Sequence, residues 1–477
     1  MKIGTARGLT IFRWLIATIL ALGFSLIVTP WLLCSLGSPL TISSHMQSAA
    51  PMESLQQLYD LGPLTSQLDR PFGDCVSAPG TDTVLIMLKT GATEIYQKLP
   101  IHLQTTLKCV PNFMIFSDIA EEFAKYPIHD AIAAVSQKRR EDDPDFALYR
   151  KLQHYHSEGR DASGLQGDRS WNLDKWKFLP MLHQAFANAG DEINWFVIIE
   201  ADTSLSWTNL LQWLGRLDDE QPIYSGAQNV IGDPAFAHGG SGIVISRKAL
   251  EMLEHPRQRE GEQAFDEKWE QAISDACCGD EILGRAFHEA GVELTPAWPL
   301  LQGETVASLD WTSKHWRTPA ISWHHVYSFD INTLWQFEAA WVREHGYKVP
   351  YLYRDVFEYF VGRHISVRRT MWNNLSRDYK FESIGRTNAE DQDISIVDDE
   401  IHNATTSEEA CTEACVRLPD NECVQWMFSP GKCYLSKSIR LGHSDEGGNE
   451  HWTSGWIQGS VERFKNGSED CEVEWTS

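Results

Sequence analysis

Three short apolar runs constrain this chain more than any other feature. Val84–Leu88, Phe113–Phe116 and Trp195–Ile199 carry no polar residue, so neither face of these strands suits water. A strand solvated on one side alternates, whereas continuous apolar runs belong to parallel strands covered by helices on both faces. Each run ends in polar residues: Lys89-Thr90-Gly91, Ser117-Asp118 and Glu200-Ala201-Asp202. Helical spacing follows. Trp207, Leu210, Leu211, Leu214 and Leu217 recur behind Ser206, an N-cap residue, and Ile282, Leu283, Ala286, Phe287 and Ala290 form a face closed by Gly291. Strands alternating with helices predict an α/β domain with a largely parallel sheet and its site at the strands' carboxyl ends.

The N-terminal end reads differently. Trp14 to Met52 contains no Asp, Glu, Lys or Arg, while Lys2, Arg7 and Arg13 precede it. Residues 14–36 suffice, at about 1.5 Å per residue, to cross a roughly 30 Å hydrocarbon core. The positive-inside rule then predicts a single-pass type II anchor: a cytosolic tail at 1–13, a span at 14–36, and a Ser/Pro/Gly-rich stem at 37–80. A cleaved signal peptide has a shorter apolar region, about 7–15 residues. Cysteine use agrees with a luminal location, since nine Cys remain outside the span and Asn374-Leu-Ser, Asn403-Ala-Thr and Asn466-Gly-Ser are glycan acceptor patterns. Nine is odd, so at least one thiol is free or pairs between chains.

Charge excludes one class of partner. The net charge of -25 argues against a broad groove for neutralising a nucleic-acid backbone, which needs clustered Lys and Arg. Nineteen Trp are compatible with sugar-stacking surfaces, although most Trp in a chain of this kind belong to cores.

The segment ending in Glu200-Ala201-Asp202 carries the most chemistry. Residues two apart on a strand share a face, so Glu200 and Asp202 lie together and require a cation or donors to compensate them. A hard divalent ion would serve and would also hold a diphosphate; helix capping is the plainer alternative. Downstream come His238-Gly239-Gly240-Ser241-Gly242, then Cys277-Cys278-Gly279-Asp280-Glu281 opening a helix, then His324-His325 after an apolar stretch. The glycines permit close backbone approach, and the segment matches neither a P-loop nor a nucleophile elbow. Asp280 is either a helix cap or a base, and the His pair either structural or ligating.

Taken in order from about Thr83 to Val326, these four features resemble the fringe and core-1 β1,3-galactosyltransferase group, glycosyltransferase family 31, in its fungal form. The resemblance implies a GT-A-type, Rossmann-like nucleotide-sugar domain at 81–385. It implies Asp202 and His324 as ligands of Mn²⁺ or another divalent cation, and Asp280, with Gly284 four residues on, as catalytic base. Donor or acceptor contacts are implied for Lys89, Thr90, Gly91, Asp174, Lys175, Glu200, His238, Gly239, Gly240 and Gly242. Glu200 and Ala201 depart from the family's Asp-x-Asp pattern. The implied activity is inverting transfer of a hexose or N-acetylhexosamine from a UDP-sugar to a glycan or glycoprotein, in a β1,3 linkage, within the Golgi or another secretory membrane.

The tail, 395–477, follows an acidic stretch and carries Cys411, Cys415, Cys423, Cys433 and Cys471. Cys-x3-Cys sets two sulfurs on one helical face, as stapling to a sheet requires. The arrangement resembles a PAN/Apple-like module, which implies a protein or carbohydrate ligand. Two rival functions remain: a glycan-binding protein without turnover, and a metallohydrolase built on Asp202, His324 and His325.

Overall fold

The computed structural model describes residues 75–165, 167, 169–383, 401–419, 422–448, 450–466 and 472–475. The expected cytosolic tail, the span at 14–36 and the stem as far as residue 74 lie outside these residues, as do Cys34 and Cys471. Among the described residues no helix is long and apolar enough to cross a membrane. The last stem residues belong to the folded body, because Cys75 is bonded to Cys109.

The three apolar runs are strands. β1 (Val84–Lys89), β2 (Asn112–Ser117) and β5 (Trp195–Glu200) lie side by side and parallel, with β1 in the middle. They belong to an eight-stranded sheet completed by β3 (Glu121–Phe123), β4 (Tyr126–Asp130), β6 (Tyr224–Gly226), β7 (Ile243–Ser246) and β8 (Leu294–Pro296), in the order β8-β6-β7-β5-β1-β2-β4-β3. The sheet is mixed. β7 runs antiparallel to both β5 and β6, and β3 antiparallel to β4, so the expectation of a largely parallel sheet holds only for part of it. β1 and β7 are buried along their whole length, as unbroken apolar runs require.

The helices cover this sheet. α1 (Ile95–Gln104) follows β1, and α2 (Phe178–Asn188) precedes β5. α3 (Trp207–Leu214) is capped by the Ser206 side chain, which accepts from the Asn209 N–H. α4 (Gly279–Glu289) ends before Gly291, whose φ of +82° suits glycine. α5 (Ser328–His345) sends the buried Glu338 carboxylate to the start of α3, where the Thr208 N–H and hydroxyl both donate to it, at 2.8 and 2.7 Å. Burial raises the Glu338 carboxyl to about 7 despite those two bonds.

A second core gathers Trp311, Trp316, Trp323, Tyr353 and Phe357 with Ile439 and Trp456 from the tail. Truncating a ring such as Trp311 would cost about 3–5 kcal/mol. Three strands of the tail, β11 (Gln425–Ser429), β12 (Lys432–Ser436) and β13 (Thr453–Trp456), form one five-stranded sheet with β9 (Arg369–Thr370) and β10 (Tyr379–Glu382), which precede the tail, in the order β9-β13-β11-β12-β10. α6 (Glu408–Arg417) is stapled to it by Cys411–Cys433 and Cys415–Cys423, as the Cys-x3-Cys spacing anticipates. The buried Arg440 is paired with Asp310, its backbone N–H bonds Gln425, and the Trp311 N–H donates to Ile439.

One sequence expectation is corrected by this packing. Asn374, the first glycan acceptor pattern, is fully buried; its amide donates to the Trp426 carbonyl at 3.1 Å and its oxygen accepts from Ser376. It has no room for a glycan. Asn403 and Asn466 are exposed.

Candidate functional site

The site lies where β1, β2 and β5 end. Lys89 and Glu200 are register partners on adjacent parallel strands, and the Lys89 ammonium lies 3.0 Å from the Glu200 carboxylate. Lys89 also pairs with Asp174 and lies 4.5 Å from the centre of the Phe178 ring. Burial disfavours its charge, but Asp174 and Glu200 outweigh burial and hold the ammonium above its usual range. Burial likewise resists ionisation of Glu200, and Lys89 with His324 overcomes it and holds the carboxyl far below its ordinary value.

Asp202 follows a tight turn. Ala201, between the two carboxylates, is buried, its N–H bonded to the Lys89 carbonyl and its own carbonyl 2.9 Å from the His102 ring. One Asp202 oxygen lies 3.4 Å from His324 Nε2. The other lies 3.4 Å from the Lys98 ammonium and 3.9 Å from His325 Nδ1. His324 Nε2 is also 3.7 Å from Glu200. Burial works against a charged His324, yet the two carboxylates raise it to about 9. Burial opposes the charge on Asp202 too, and His324 with Lys98 brings its carboxyl below the ordinary range.

The glycine segment explains how these groups come so close. An added Cβ at Gly240 would fall 2.1 Å from the His324 ring, and one at Gly239 would fall 2.8 Å from Phe178. Gly242, at φ +91°, turns the chain into β7. Thr203 Oγ1 donates to the Gly240 carbonyl at 2.8 Å, tying the glycine turn to the Asp202 turn. His238 lies 2.7 Å from Ser241 Oγ, with its ring 5.4 Å from that of His324. Burial lowers the His238 imidazole, so its neutral form is favoured.

Asp280 enters from the other side. It is the second residue of α4, and its Oδ2 accepts the Gly239 N–H at 2.8 Å. Burial raises its carboxyl above the ordinary aspartate value, against the Gly239 bond that lowers it. Gly279 permits this approach, because a Cβ there would lie 2.3 Å from the Lys175 carbonyl, while Gly284 lets α4 pack on Phe236. The preceding Cys277 and Cys278 are bonded to each other.

The geometry thus brings together Lys89, Asp174, Glu200, Asp202, His238, Gly239, Gly240, Asp280 and His324. Thr90 and Gly91 follow β1, where the Thr90 carbonyl accepts from Lys177 at 2.8 Å and the Gly91 N–H bonds Glu94. Lys175 is not part of the cluster, since its ammonium bonds Asp145 at 3.0 Å and the Ala276 carbonyl at 3.0 Å. Lys177 occupies the inward position instead, 2.5 Å from Asp118 and 3.2 Å from Asp174. Lys98, Asp118 and Lys177 were not singled out from the sequence. Asp118 and Lys177 each had a signal, one as a carboxylate ending a buried strand and the other as a neighbour of the chosen lysine.

A divalent ion fits these residues. Ligand atoms of Asp202, His324 and His325 lie within 4.8 Å of one another, and the missing Gly240 side chain gives the His324 ring its place. One carboxylate and two imidazoles are a donor set open to several divalent ions and select none of them. No family model matches the chain.

Proposed function

We propose that this chain is a divalent-cation-dependent, inverting glycosyltransferase of the fringe and core-1 type. In this reading it moves a hexose or N-acetylhexosamine from a UDP-sugar to a hydroxyl of a glycan or glycoprotein, forming a β1,3 linkage, on the luminal side of a Golgi or related membrane. The tail module would hold a protein or carbohydrate ligand. The observation that carries the proposal is the convergence of four segments distant in sequence: Asp202, the Gly239–Gly240 turn, Asp280 and His324.

Asp202 and His324 would hold the cation, with His325 within reach. When bound, such an ion supplies Lewis-acid stabilisation of the departing diphosphate. The chain's own residues account for the rest. Asp280 accepts the proton of the acceptor hydroxyl as the new bond forms, and its raised affinity for a proton favours that step. The Gly239 N–H fixes one carboxylate oxygen, which retains a lone pair for the incoming proton. Lys89, buried and locked between Asp174 and Glu200, keeps Glu200 ionised beside His324.

The test is sugar transfer from a panel of UDP-sugars to an acceptor array with Mn²⁺. Transfer lost in Asp280→Asn and in Asp202→Ala supports the proposal, and absence of transfer by the wild-type protein under every condition refutes it. The grouping of His325 with Asp202 and His324 favours one second reading, a metallohydrolase. That reading expects acceptor-independent ester hydrolysis that is lost in His325→Ala.

A further inference from the structure

Three lysines reach the charged cluster, and they are not equivalent. Lys89 and Lys177 are sealed in, each with 2% of its side chain exposed, and each is held by two carboxylates. Lys98 is different. About a third of its side chain meets solvent, and its ammonium divides between Glu94, four residues earlier at 3.0 Å, and Asp202 at 3.4 Å. It sits on α1, the helix that follows β1.

Asp202 is therefore the meeting point of three basic groups: His324 on one oxygen, Lys98 and His325 on the other. In the free protein the ammonium compensates a carboxylate that burial would otherwise penalise. A divalent cation on Asp202 reverses the sign of that relationship, because the ammonium then faces a doubly charged neighbour. Lysine carries its charge on a flexible four-carbon stem, so it can leave one carboxylate while keeping another. Glu94 is the partner that remains.

We propose that Lys98 is an exchanging cation, bound to Asp202 in the free protein and transferred to the donor's diphosphate once a divalent ion takes that carboxylate. The inference rests on the nucleotide-sugar reading of the site. The ligand class it names is a nucleoside diphosphate accompanied by a divalent ion. Metal and lysine then share the work of neutralising one anion after competing for one carboxylate, so the two binding steps respond to Lys98 in opposite directions.

The experiment measures the steps separately on the full-length chain. Mn²⁺ alone is titrated by paramagnetic resonance, and UDP at saturating Mn²⁺ by calorimetry. Lys98→Met, which keeps the aliphatic stem and removes the charge, should bind Mn²⁺ about tenfold more tightly and UDP about tenfold more weakly. Lys98→Arg should restore UDP affinity to within about threefold of the wild type. Thermal melting checks that each variant is folded, and Lys98→Gln, which also removes the charge at this partly exposed position, carries the same two measurements should the methionine variant not fold. Unchanged or weaker Mn²⁺ binding in Lys98→Met overturns the exchange, and so does unchanged UDP affinity. A wild-type protein that binds Mn²⁺ but no UDP refutes the nucleotide-sugar reading itself.

Discussion

The backbone N–H of Gly239 donates at 2.8 Å to the carboxylate of Asp280, 41 positions further along the chain. Two motifs that look independent in the sequence are thus one device, in which the glycine turn aims the acid of α4. If Asp280 is the base, Asp280→Asn should lower turnover by about 10²–10⁴-fold without changing the melting temperature. The wild-type rate should fall with acid as Asp280 takes up its proton, and burial places that limb above the ordinary aspartate range. A pH–rate profile whose acid limb sits at or below that range contradicts the assignment.

Gly240 makes room for the His324 ring. Gly240→Ala should push the imidazole off Asp202 while leaving the sheet intact. A loss of about 10–100-fold in Mn²⁺ affinity is expected, since supporting contacts of a metal ligand carry that weight. Titration with Mn²⁺, alongside a thermal melt, reads both halves; unaltered affinity would remove His324 from the ligand set.

Cys277 and Cys278 are joined to each other directly before the α4 residues Gly279 and Asp280. A bridge between neighbours closes almost no loop, so it adds little to global stability. The double variant Cys277→Ser/Cys278→Ser should melt within about 2 °C of the parent. Turnover should nonetheless drop several-fold, because the bridge restrains the backbone that leads into Asp280. Full activity in the double variant would show that the bridge is irrelevant to the base.

Glu338 links pH to stability. Its carboxyl is raised to about 7 in the folded protein by burial, from 4.5 in the open chain. Below the lower value both states are protonated and the contribution is complete. As pH climbs through the window the unfolded chain gives up its proton first, and up to about 3 kcal/mol is lost. Glu338→Gln, which keeps an acceptor for Thr208, should flatten denaturant stability between these two pH values. An unchanged slope would mean that Glu338 ionises normally.

Glycan occupancy follows from burial. Mass spectrometry of protein secreted from a eukaryotic host should find glycans at the exposed Asn403 and Asn466 and none at Asn374, which is sealed against Trp426.

The sequence revealed most where burial is complete. β1, β2 and β5 were legible because each holds an unbroken apolar run of four or five residues, which a strand covered on both faces requires. The direction of β7 was not, since an apolar run looks the same read either way. β3, at the sheet edge, and its neighbour β4 went unread because both are short and keep polar, exposed or half-exposed side chains. Within the site, Asp202, Asp280 and His324 stood out by their settings. The choice between Lys175 and Lys177 did not, because both lie in the short link between two helices, where no periodicity marks which side chain faces inward and tertiary packing decides. Lys98 belonged to no motif at all, and only the packing of α1 beside Asp202 brings it in.

β10 lies on one side of residues 384–400 and its partner β12 on the other, yet they pair residue for residue from Tyr379–Leu435 to Glu382–Lys432. Covalent continuity and structural continuity therefore part company at that point. A cut between Ser383 and Ile401 would yield two polypeptides but one particle, held by a shared sheet, by the Arg440–Asp310 pair and by rings from both sides of the break. Conversely, a gene truncated there would encode a fragment with an orphaned strand edge and an uncovered aromatic floor.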